Sequence, residues 1–213
     1  MIYNEDCRNT LDRDLSYDYV LCSPPDYKEV GLNPKTDSYS DFLETWIPKL
    51  KPNNNLVSIC ITDRKGDGTI YSKHIDVIDT MKKYGWSLKT TKVWAKSLKI
   101  NMFRLNFMYI LSFAKKPSKV NLTKDFKPDV FLDDISPKFK GYGFGMSLEV
   151  CKLLIQEHTL ENQVVYDPFM GSGTTAIASL NCDRSYLGSE IDIETINLCN
   201  DRIKTLTNND SMR

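Results

Sequence analysis

The chain has 213 residues, of which 41% are hydrophobic and 26% are charged, values that are ordinary for one soluble domain. Lysine and arginine together number 28, and aspartate and glutamate also number 28, so the formal net charge is zero. The chain as a whole is therefore not basic, and a nucleic-acid partner would have to bind a local basic face. A membrane span is excluded, because no apolar segment approaches the roughly 20 residues that one requires.

The six cysteines include no C-x-x-C pair, and the chain has only two histidines. This composition argues against a zinc site and favours reduced thiols in an intracellular protein. The polar N-terminal sequence MIYNEDCRNT does not resemble a secretory signal. We therefore expect no metal ion and a cytoplasmic location; in a eukaryotic host, the nucleus or a viral factory would be the alternative.

Strand and helix patterns alternate along the chain. Up to residue 116, the elements predicted in chain order are strand MIYNE, strand YDYVLCS, helix SYSDFLETWIPKLK, strand NLVSICIT, helix YSKHIDVIDTMKKYG, strand WSLKTTKVWAK and strand RLNFMYILSFAKK. Residues 117–143 lack periodicity and predict a long surface loop, a kind of segment that is usually functional or disordered.

The C-terminal part continues the alternation. Its predicted elements are helix MSLEVCKLLIQEHT, strand QVVYD, helix TTAIASLN, strand SYLGSE and helix DIETINLCNDRIKTL. Repeated strand-then-helix units indicate an α/β fold, in which helices cover both faces of a mostly parallel sheet.

The segment LCSPPDY, residues 21–27, ends the second predicted strand. Prolines cannot donate a hydrogen bond to a neighbouring strand, so the strand should stop at Ser23. In an open α/β sheet, ligands bind at the carboxyl ends of the strands. Ser23 and the two prolines are therefore candidates for contact with a ligand.

A second motif, VVYDPFMGSGTTAIASL, spans residues 164–180. A strand ends at Asp167, and a glycine-rich turn then opens a helix at Thr174. Gly171 and Gly173 would allow the backbone to approach a ligand closely, and the helix N-terminus offers free N–H groups. A P-loop is excluded because no lysine precedes the threonine, and a purely structural turn is the alternative.

Glu190 ends the next predicted strand. It follows Gly171 by roughly 20 residues, the spacing at which dinucleotide-binding folds place an acid on a ribose diol. An isolated acid at a strand end is usually solvated surface. Beside a glycine-rich turn, we expect it to bind a ribose.

The motif DPFMGSGTT, preceded in the chain by SPPD, resembles the circularly permuted (beta) group of S-adenosylmethionine-dependent DNA amino-methyltransferases. The resemblance covers nearly the whole chain and implies one Rossmann-like α/β domain, residues 1–213, with a mostly parallel seven-strand sheet. It implies a catalytic half at 1–116, a short target-recognition loop at 117–143 and a cofactor-binding half at 144–213. It also implies a place in restriction–modification.

The resemblance implies that S-adenosyl-L-methionine is the cofactor and that Asp6 approaches its adenine. The implied cofactor-binding residues are Asp6, Cys22, Phe144, Asp167, Pro168, Phe169, Gly171, Ser172, Gly173, Thr174, Thr175, Glu190 and Ile191. The implied catalytic residues are Ser23, Pro24, Pro25, Asp26 and Tyr27.

An exocyclic amino group is a poor nucleophile because its lone pair is delocalised into the base. The Ser23 hydroxyl and the Pro24 carbonyl can each accept one N–H, which would aim the lone pair at the sulfonium methyl group. The target base would have to leave the duplex. Serine at the first motif position favours N4 of cytosine over N6 of adenine, for which the family more often has Asp or Asn.

Asp26 departs from the family pattern, which has an aromatic residue here to stack on the flipped base. Three explanations stay open: Tyr27 stacks instead, Asp26 hydrogen-bonds the base, or the domain has lost catalysis. A non-catalytic nucleic-acid-binding subunit and an RNA methyltransferase are the competing functions.

DNA is the expected partner, and a homodimer or a second subunit could supply specificity. The loop up to residue 143 carries basic and aromatic side chains that could contact phosphates and bases. They are Lys119, Lys124, Lys127, Lys138, Lys140, Phe126, Phe131, Phe139 and Tyr142. A solvated surface loop is the alternative.

Overall fold

The computed structural model describes residues 1–96, 105–118, 128–132 and 146–210, with side chains described up to residue 205. The strands are β1 (Ile2–Asn4), β2 (Tyr19–Cys22), β3 (Leu56–Ile61), β4 (Arg64–Gly66), β5 (Thr69–Tyr71), β6 (Ser87–Ala95), β7 (Phe107–Ala114), β8 (Val130–Leu132), β9 (Val164–Asp167) and β10 (Ser185–Glu190). The α-helices are α1 (Cys7–Thr10), α2 (Tyr39–Leu43), α3 (Lys73–Lys83), α4 (Leu148–His158), α5 (Thr174–Leu180) and α6 (Ile193–Asp210). Short 3-10 helices cover Tyr27–Val30 and Ile47–Lys49.

The main sheet has the strand order β1-β10-β9-β2-β3-β7-β6-β8. The five strands from β1 to β3 are parallel, β7 is antiparallel to both β3 and β6, and β8 is parallel to β6. The predicted α/β class with a mostly parallel sheet is confirmed.

The position of β9 decides where a ligand can bind. The chain leaves β9 for β10 on one side, while β2 from the first part of the chain pairs with its other side. Loops that leave adjacent strand ends in opposite directions open a crevice between them. The two sequence motifs follow these two strands, so the strand order brings them to one crevice.

Strand β2 divides the core, because alternate side chains point to opposite faces of a sheet. Val20 and Cys22 pack with residues of α2 and α3 on one face, and Tyr19 and Leu21 pack with α4 on the other. All four residues are buried. This explains why β2 is a continuous apolar run, as expected for a parallel strand covered on both faces.

The helix predicted over SYSDFLETWIPKLK is wrong in extent. Helix α2 ends at Leu43, and a 3-10 helix at Ile47–Lys49 follows it. Pro48 lacks an N–H and disfavours α-helical geometry at the residue before it, so the helix cannot run through this point. The apolar positions Leu43, Trp46 and Ile47 are nevertheless fully buried.

Two further predictions are corrected at the sheet margins. Within the described residues the main sheet has eight strands rather than seven, because Val130–Leu132, inside the predicted loop, pairs with β6 as the edge strand β8. Three residues are too few for periodicity to reveal. The hairpin of β4 and β5 was not predicted either, although its Asp67–Gly68 turn is a recognised hairpin sequence.

All six cysteines are buried free thiols, as expected for reduced cysteines. Within the part of the chain that the structure describes, no helix has the length and apolarity needed to cross a membrane.

Candidate active site

A cleft of about 780 Å³ opens at the carboxyl ends of the parallel strands. Both sequence motifs line it, although they lie far apart in the chain. The predicted site residues in its walls are Asp6, Ser23, Pro24, Pro25, Asp167, Pro168, Phe169, Gly171, Ser172, Thr174, Thr175, Glu190 and Ile191. Residues that sequence reasoning missed, Val30, Phe42 and Met108 among them, add apolar surface to the same cleft.

Some predicted site residues do not line this cleft. Cys22 is fully buried in the core, where burial raises the pKa of its thiol well above the usual value. Its side chain is therefore not placed to touch a ligand in the cleft. Phe144 lies outside the described residues, as do all the predicted loop contacts except Phe131. Phe131 packs partly into the core, with the Lys92 ammonium 5.9 Å from its ring centre.

The glycine-rich turn uses its two glycines differently. Gly171 (φ 52°) lines the cleft, as expected for close approach of a ligand. Gly173 (φ 84°) instead faces helix α6, and a Cβ added to it would lie 2.1 Å from the Cys199 Sγ. The expectation that Gly173 makes room for a ligand is corrected: its missing side chain makes room for α6.

Helix α6 also holds the turn through Arg202. The Arg202 guanidinium donates a hydrogen bond to the Ser172 carbonyl and another, of 2.8 Å, to the Ser172 hydroxyl. Arg202 is only partly exposed, and this burial lowers the pKa of its guanidinium. Arg202 and Cys199 are three residues apart on one helical face. Helix α6 thus holds the turn in place, through a contact that no local sequence pattern predicts.

Asp167 is a buried carboxylate at the floor of the cleft. It accepts hydrogen bonds from the Phe169 N–H (2.9 Å) and the Thr175 hydroxyl (2.6 Å). Among the described residues no cation pairs with it, and burial raises its pKa to about 7. A cationic group bound in the cleft would favour its charged form.

Glu190 joins the glycine-rich turn to the end of β10. Its two carboxylate oxygens accept hydrogen bonds from the Gly171 N–H (2.9 Å) and the Asp192 N–H (3.1 Å). Each oxygen keeps a second lone pair, because a carboxylate can accept about four hydrogen bonds. Glu190 therefore lies against the turn and can still accept bonds from a diol.

Asp6 caps helix α1 and is tied to Arg8. Its carboxylate accepts bonds from the Arg8 N–H, Nε and Nη2 at 2.8, 2.8 and 2.6 Å. These bonds lower the pKa of Asp6, with the side-chain bond from Arg8 as the main cause. Both residues line the cleft, so a ligand here meets a neutralised pair rather than an isolated charge.

A tyrosine of α2 holds the Ser-Pro-Pro segment through a hydrogen bond. The hydroxyl of the buried Tyr39 donates a 2.5 Å hydrogen bond to the Pro25 carbonyl, and the Lys73 ammonium lies 5.3 Å from the Tyr39 ring centre. Among the described residues, the Ser23 hydroxyl and the Pro24 carbonyl have no hydrogen-bond partner. Both residues line the cleft, and each therefore offers an acceptor that no described protein group occupies.

Asp26 does not line the cleft and is committed to partners within the fold. One carboxylate oxygen accepts bonds from Lys73 Nζ (2.8 Å) and the Tyr27 N–H (2.9 Å), and the other from Arg64 Nη1 (2.8 Å). Burial alone would raise the pKa of Asp26, but the hydrogen bond and charge of Lys73, with smaller contributions from Tyr27 and Arg64, lower it. A direct bond from Asp26 to a base would have to compete with these partners.

Tyr27 is buried beneath the motif. Its ring centre lies 5.1 Å from that of Tyr39 and 6.3 Å from that of Tyr71, and burial raises the pKa of its hydroxyl to about 12. In this position the Tyr27 ring is not available to stack on a base in the cleft.

Comparison with known protein families matches residues 17–201 to the DNA methylase family of N6 and N4 methyltransferases. The chain belongs to this family. The expected relationship to the DNA amino-methyltransferases is thereby confirmed.

Among curated relatives of this methylase chain, the orphan methyltransferase M.BamHII of Bacillus amyloliquefaciens is 48% identical over 56 residues. That segment covers 24% of this chain and 21% of the relative. The type II methyltransferase M.HindIII of Haemophilus influenzae is 38% identical over 76 residues, which cover 35% of this chain and 25% of the relative. The matched segments thus span at most a quarter of these relatives.

Solved structures are similar over almost the whole methylase chain. The M1.HpyAVI–SAM complex has a TM-score of 0.74 at 23% identity, covering 95% of this chain and 98% of that one. The cytosine-N4-specific PvuII DNA methyltransferase has a TM-score of 0.77 at 16% identity, covering 93% and 84%. At these identities the likeness establishes a shared fold.

The raised pKa of Asp167 predicts a pH-dependent stability. The pKa is about 7 in the folded protein and about 3.9 when unfolded, so the folded state binds a proton that the unfolded state has lost between these values. The free energy of unfolding should therefore fall as pH rises from about 4 to 7, by up to about 1.4 kcal/mol per unit. In thermal denaturation from pH 5 to 8, the Tm of Asp167→Asn should increase relative to that of the wild type as pH rises. The exposed control Asp14→Asn should show no such trend, and a constant difference for Asp167→Asn would contradict the prediction.

The ion pair of Asp26 with Lys73 predicts a stability effect that a double mutant can isolate. The Lys73 side chain is only 5% exposed, so Asp26→Leu should cost about 1–3 kcal/mol by leaving its charge unpaired. Adding Lys73→Met should recover part of that loss in urea denaturation. The control Asp12→Leu breaks the more exposed ion pair with Lys49 and should cost less than about 1 kcal/mol. A double mutant no more stable than Asp26→Leu would refute this account.

Proposed function

We propose that this chain is an S-adenosylmethionine-dependent DNA methyltransferase that modifies an exocyclic amino nitrogen of a base. The observation that carries the proposal is the cleft whose walls contain both Ser23 and Pro24 and the glycine-rich turn. Membership of the DNA methylase family supports it. A methyl acceptor and a methyl donor need such a shared cleft, because transfer requires the reacting atoms to be aligned.

The residues of the cleft fit S-adenosylmethionine. The buried Asp167 suits the ammonium of the methionine part, Glu190 suits the ribose hydroxyls, and Ile191 supplies an apolar surface for the adenine. Gly171 allows the backbone to approach the ligand. When bound, S-adenosylmethionine supplies a methyl group on a positively charged sulfur.

Ser23 and Pro24 orient the acceptor. Each can accept one N–H of the base amino group, which draws the nitrogen towards tetrahedral geometry and frees its lone pair. Tyr39 fixes the adjacent Pro25 carbonyl, so the acceptors are in place before the base arrives. Transfer would break the bond between the methyl carbon and the sulfur, leaving an uncharged thioether, as the new C–N bond forms, and one proton of the amino group would be lost to solvent. The base must first leave the duplex, at a cost of a few kcal/mol.

We infer N4 of cytosine as the preferred target because serine occupies the first motif position. Adenine N6 is the alternative within the family. Mass spectrometry of DNA nucleosides, after expression in cells without their own DNA methylation, tests both. N4-methylcytosine would support the proposal in full, and N6-methyladenine would correct the base. If neither appears, an RNA methyltransferase or a non-catalytic subunit becomes the better account.

Ser23→Ala tests the role of the hydroxyl. An interaction that forms mainly in the transition state affects kcat, so the variant should lose on the order of 10²-fold in turnover. Its binding of S-adenosylmethionine should stay within about twofold of wild type. Ser87→Ala, at an exposed serine of β6, is the matched control and should keep full turnover. Equal turnover in wild type and Ser23→Ala would remove Ser23 from the mechanism.

Arg202 should position the cofactor turn, and Arg184 offers a matched control. Arg202→Gln removes the bonds to Ser172, whereas Arg184→Gln removes bonds to Thr159 and Cys182 before β10, away from the cleft. Both variants should lower Tm. Calorimetry should find S-adenosylmethionine binding weakened about tenfold, or about 1.4 kcal/mol, only in Arg202→Gln. Equal affinities in the two variants would mean that Arg202 serves stability alone.

A further inference from the structure

A β-hairpin outside the main sheet leaves the fold directly after β3. Its strands β4 and β5 pair only with each other, with Lys65 opposite Ile70 and Gly66 opposite Thr69. The Asp67–Gly68 turn has positive φ angles of 50° and 73°, as in the type I′ turns that suit hairpins. An isolated two-stranded hairpin is at best marginally stable in water, so contacts with the rest of the protein must hold it.

Two contacts join the strands of the hairpin to the SPPDY segment, and a 3.0 Å ion pair joins its turn residue Asp67 to Lys35. Arg64, the first residue of β4, donates a 2.8 Å hydrogen bond to the Asp26 carboxylate. Tyr71, the last residue of β5, packs edge-on against Tyr27, with ring centres 6.3 Å apart. Asp26 and Tyr27 follow Ser23 within one short segment. The position of the hairpin is therefore fixed relative to the residues that face the base.

The opposite face of the hairpin points away from the protein. Side chains alternate along a strand, so Arg64 and Tyr71 face inward while Lys65 and Ile70 face outward. Ile70 is 50% exposed, and Lys65, its partner across the hairpin, is exposed beside it. Within the described ranges, Lys65 forms no ion pair. An apolar side chain and a cation thus lie side by side on a rigid projection next to the cleft.

We propose that the outer face of this hairpin, formed by Lys65 and Ile70, contacts duplex DNA beside the flipped base. The inference rests on the proposed function. A base that enters the cleft is still joined to its duplex, which must then lie across the edge of the sheet from which the hairpin projects. A two-stranded ribbon fits the major groove. Lys65 would meet a phosphate, and Ile70 an apolar base edge such as the thymine methyl group.

The zero net charge of the chain favours a local contact of this kind. The whole chain has no net positive charge to attract DNA. Binding must therefore come from individual side chains placed where the duplex passes. The hairpin offers one such side chain. Arg64, at the base of the hairpin, is paired with Asp26, whereas Lys65 is an exposed cation on the outer face.

Binding of a fluorescently labelled mixed-sequence duplex, measured with S-adenosylhomocysteine present and at several salt concentrations, tests the proposal. Lys65→Ala should weaken binding and reduce the log–log salt slope by about one, as for one lost phosphate contact. Ile70→Ser should weaken binding severalfold without changing the slope, because no charge is removed. S-adenosylhomocysteine affinity should be unchanged in both variants, which separates a DNA contact from damage to the cleft.

Two control variants lie before the amino ends of β9 and β3, whereas the hairpin follows the carboxyl end of β3. Leu160→Ser changes an apolar side chain that is 56% exposed, and Lys51→Ala removes an exposed lysine. Both should bind the duplex as the wild type does. If the wild type binds DNA and the two hairpin variants bind it equally well, the hairpin proposal is overturned while the proposed function stands. If the wild type neither binds nor methylates DNA, the proposed function fails and the hairpin contact fails with it.

Discussion

The parallel pairing of β2 with β9 is the constraint on which the site depends. Tyr19 lies opposite Val165 and Val20 opposite Tyr166, and this short register joins the first part of the chain to the last. A slip by one residue would turn every side chain of β2 to the other face and move Ser23 away from the turn. Because these side chains are buried on both faces, the register is strongly specified, and it fixes where the two motifs meet.

Two aspartates near this cleft differ in their partners, and they therefore affect stability in opposite ways. Asp26 is paired with Lys73 and Arg64, and its pKa is lowered. Asp167 is fully buried, has no cationic partner among the described residues, and its pKa is raised to about 7. The first carboxylate stabilises the architecture around the catalytic segment. The second weakens the folded state at neutral pH, a cost that a bound cation would offset.

Residues outside the two motifs hold the motif residues in their positions around the cleft. Tyr39 of α2 fixes the Pro25 carbonyl, and Arg202 of α6 fixes Ser172 in the glycine-rich turn. These bonds hold the donor and acceptor sides of the cleft rigid relative to the sheet. Aligned groups that need no rearrangement account for most of what such a site can contribute to a transfer reaction. The hairpin is joined to the same segment through the bond from Arg64 to Asp26.

The sequence by itself determined the order of the longer strands and helices, the α/β class, and the placement of Ser23, Asp167 and Glu190 at strand ends. These features follow from periodicity and turn chemistry, which act over a few neighbouring residues. Only the tertiary structure decided that Gly173 faces α6 and that Asp26 holds Arg64. Their partners lie far away in the chain, and which distant groups meet depends on how the helices pack and on which buried charges must be paired.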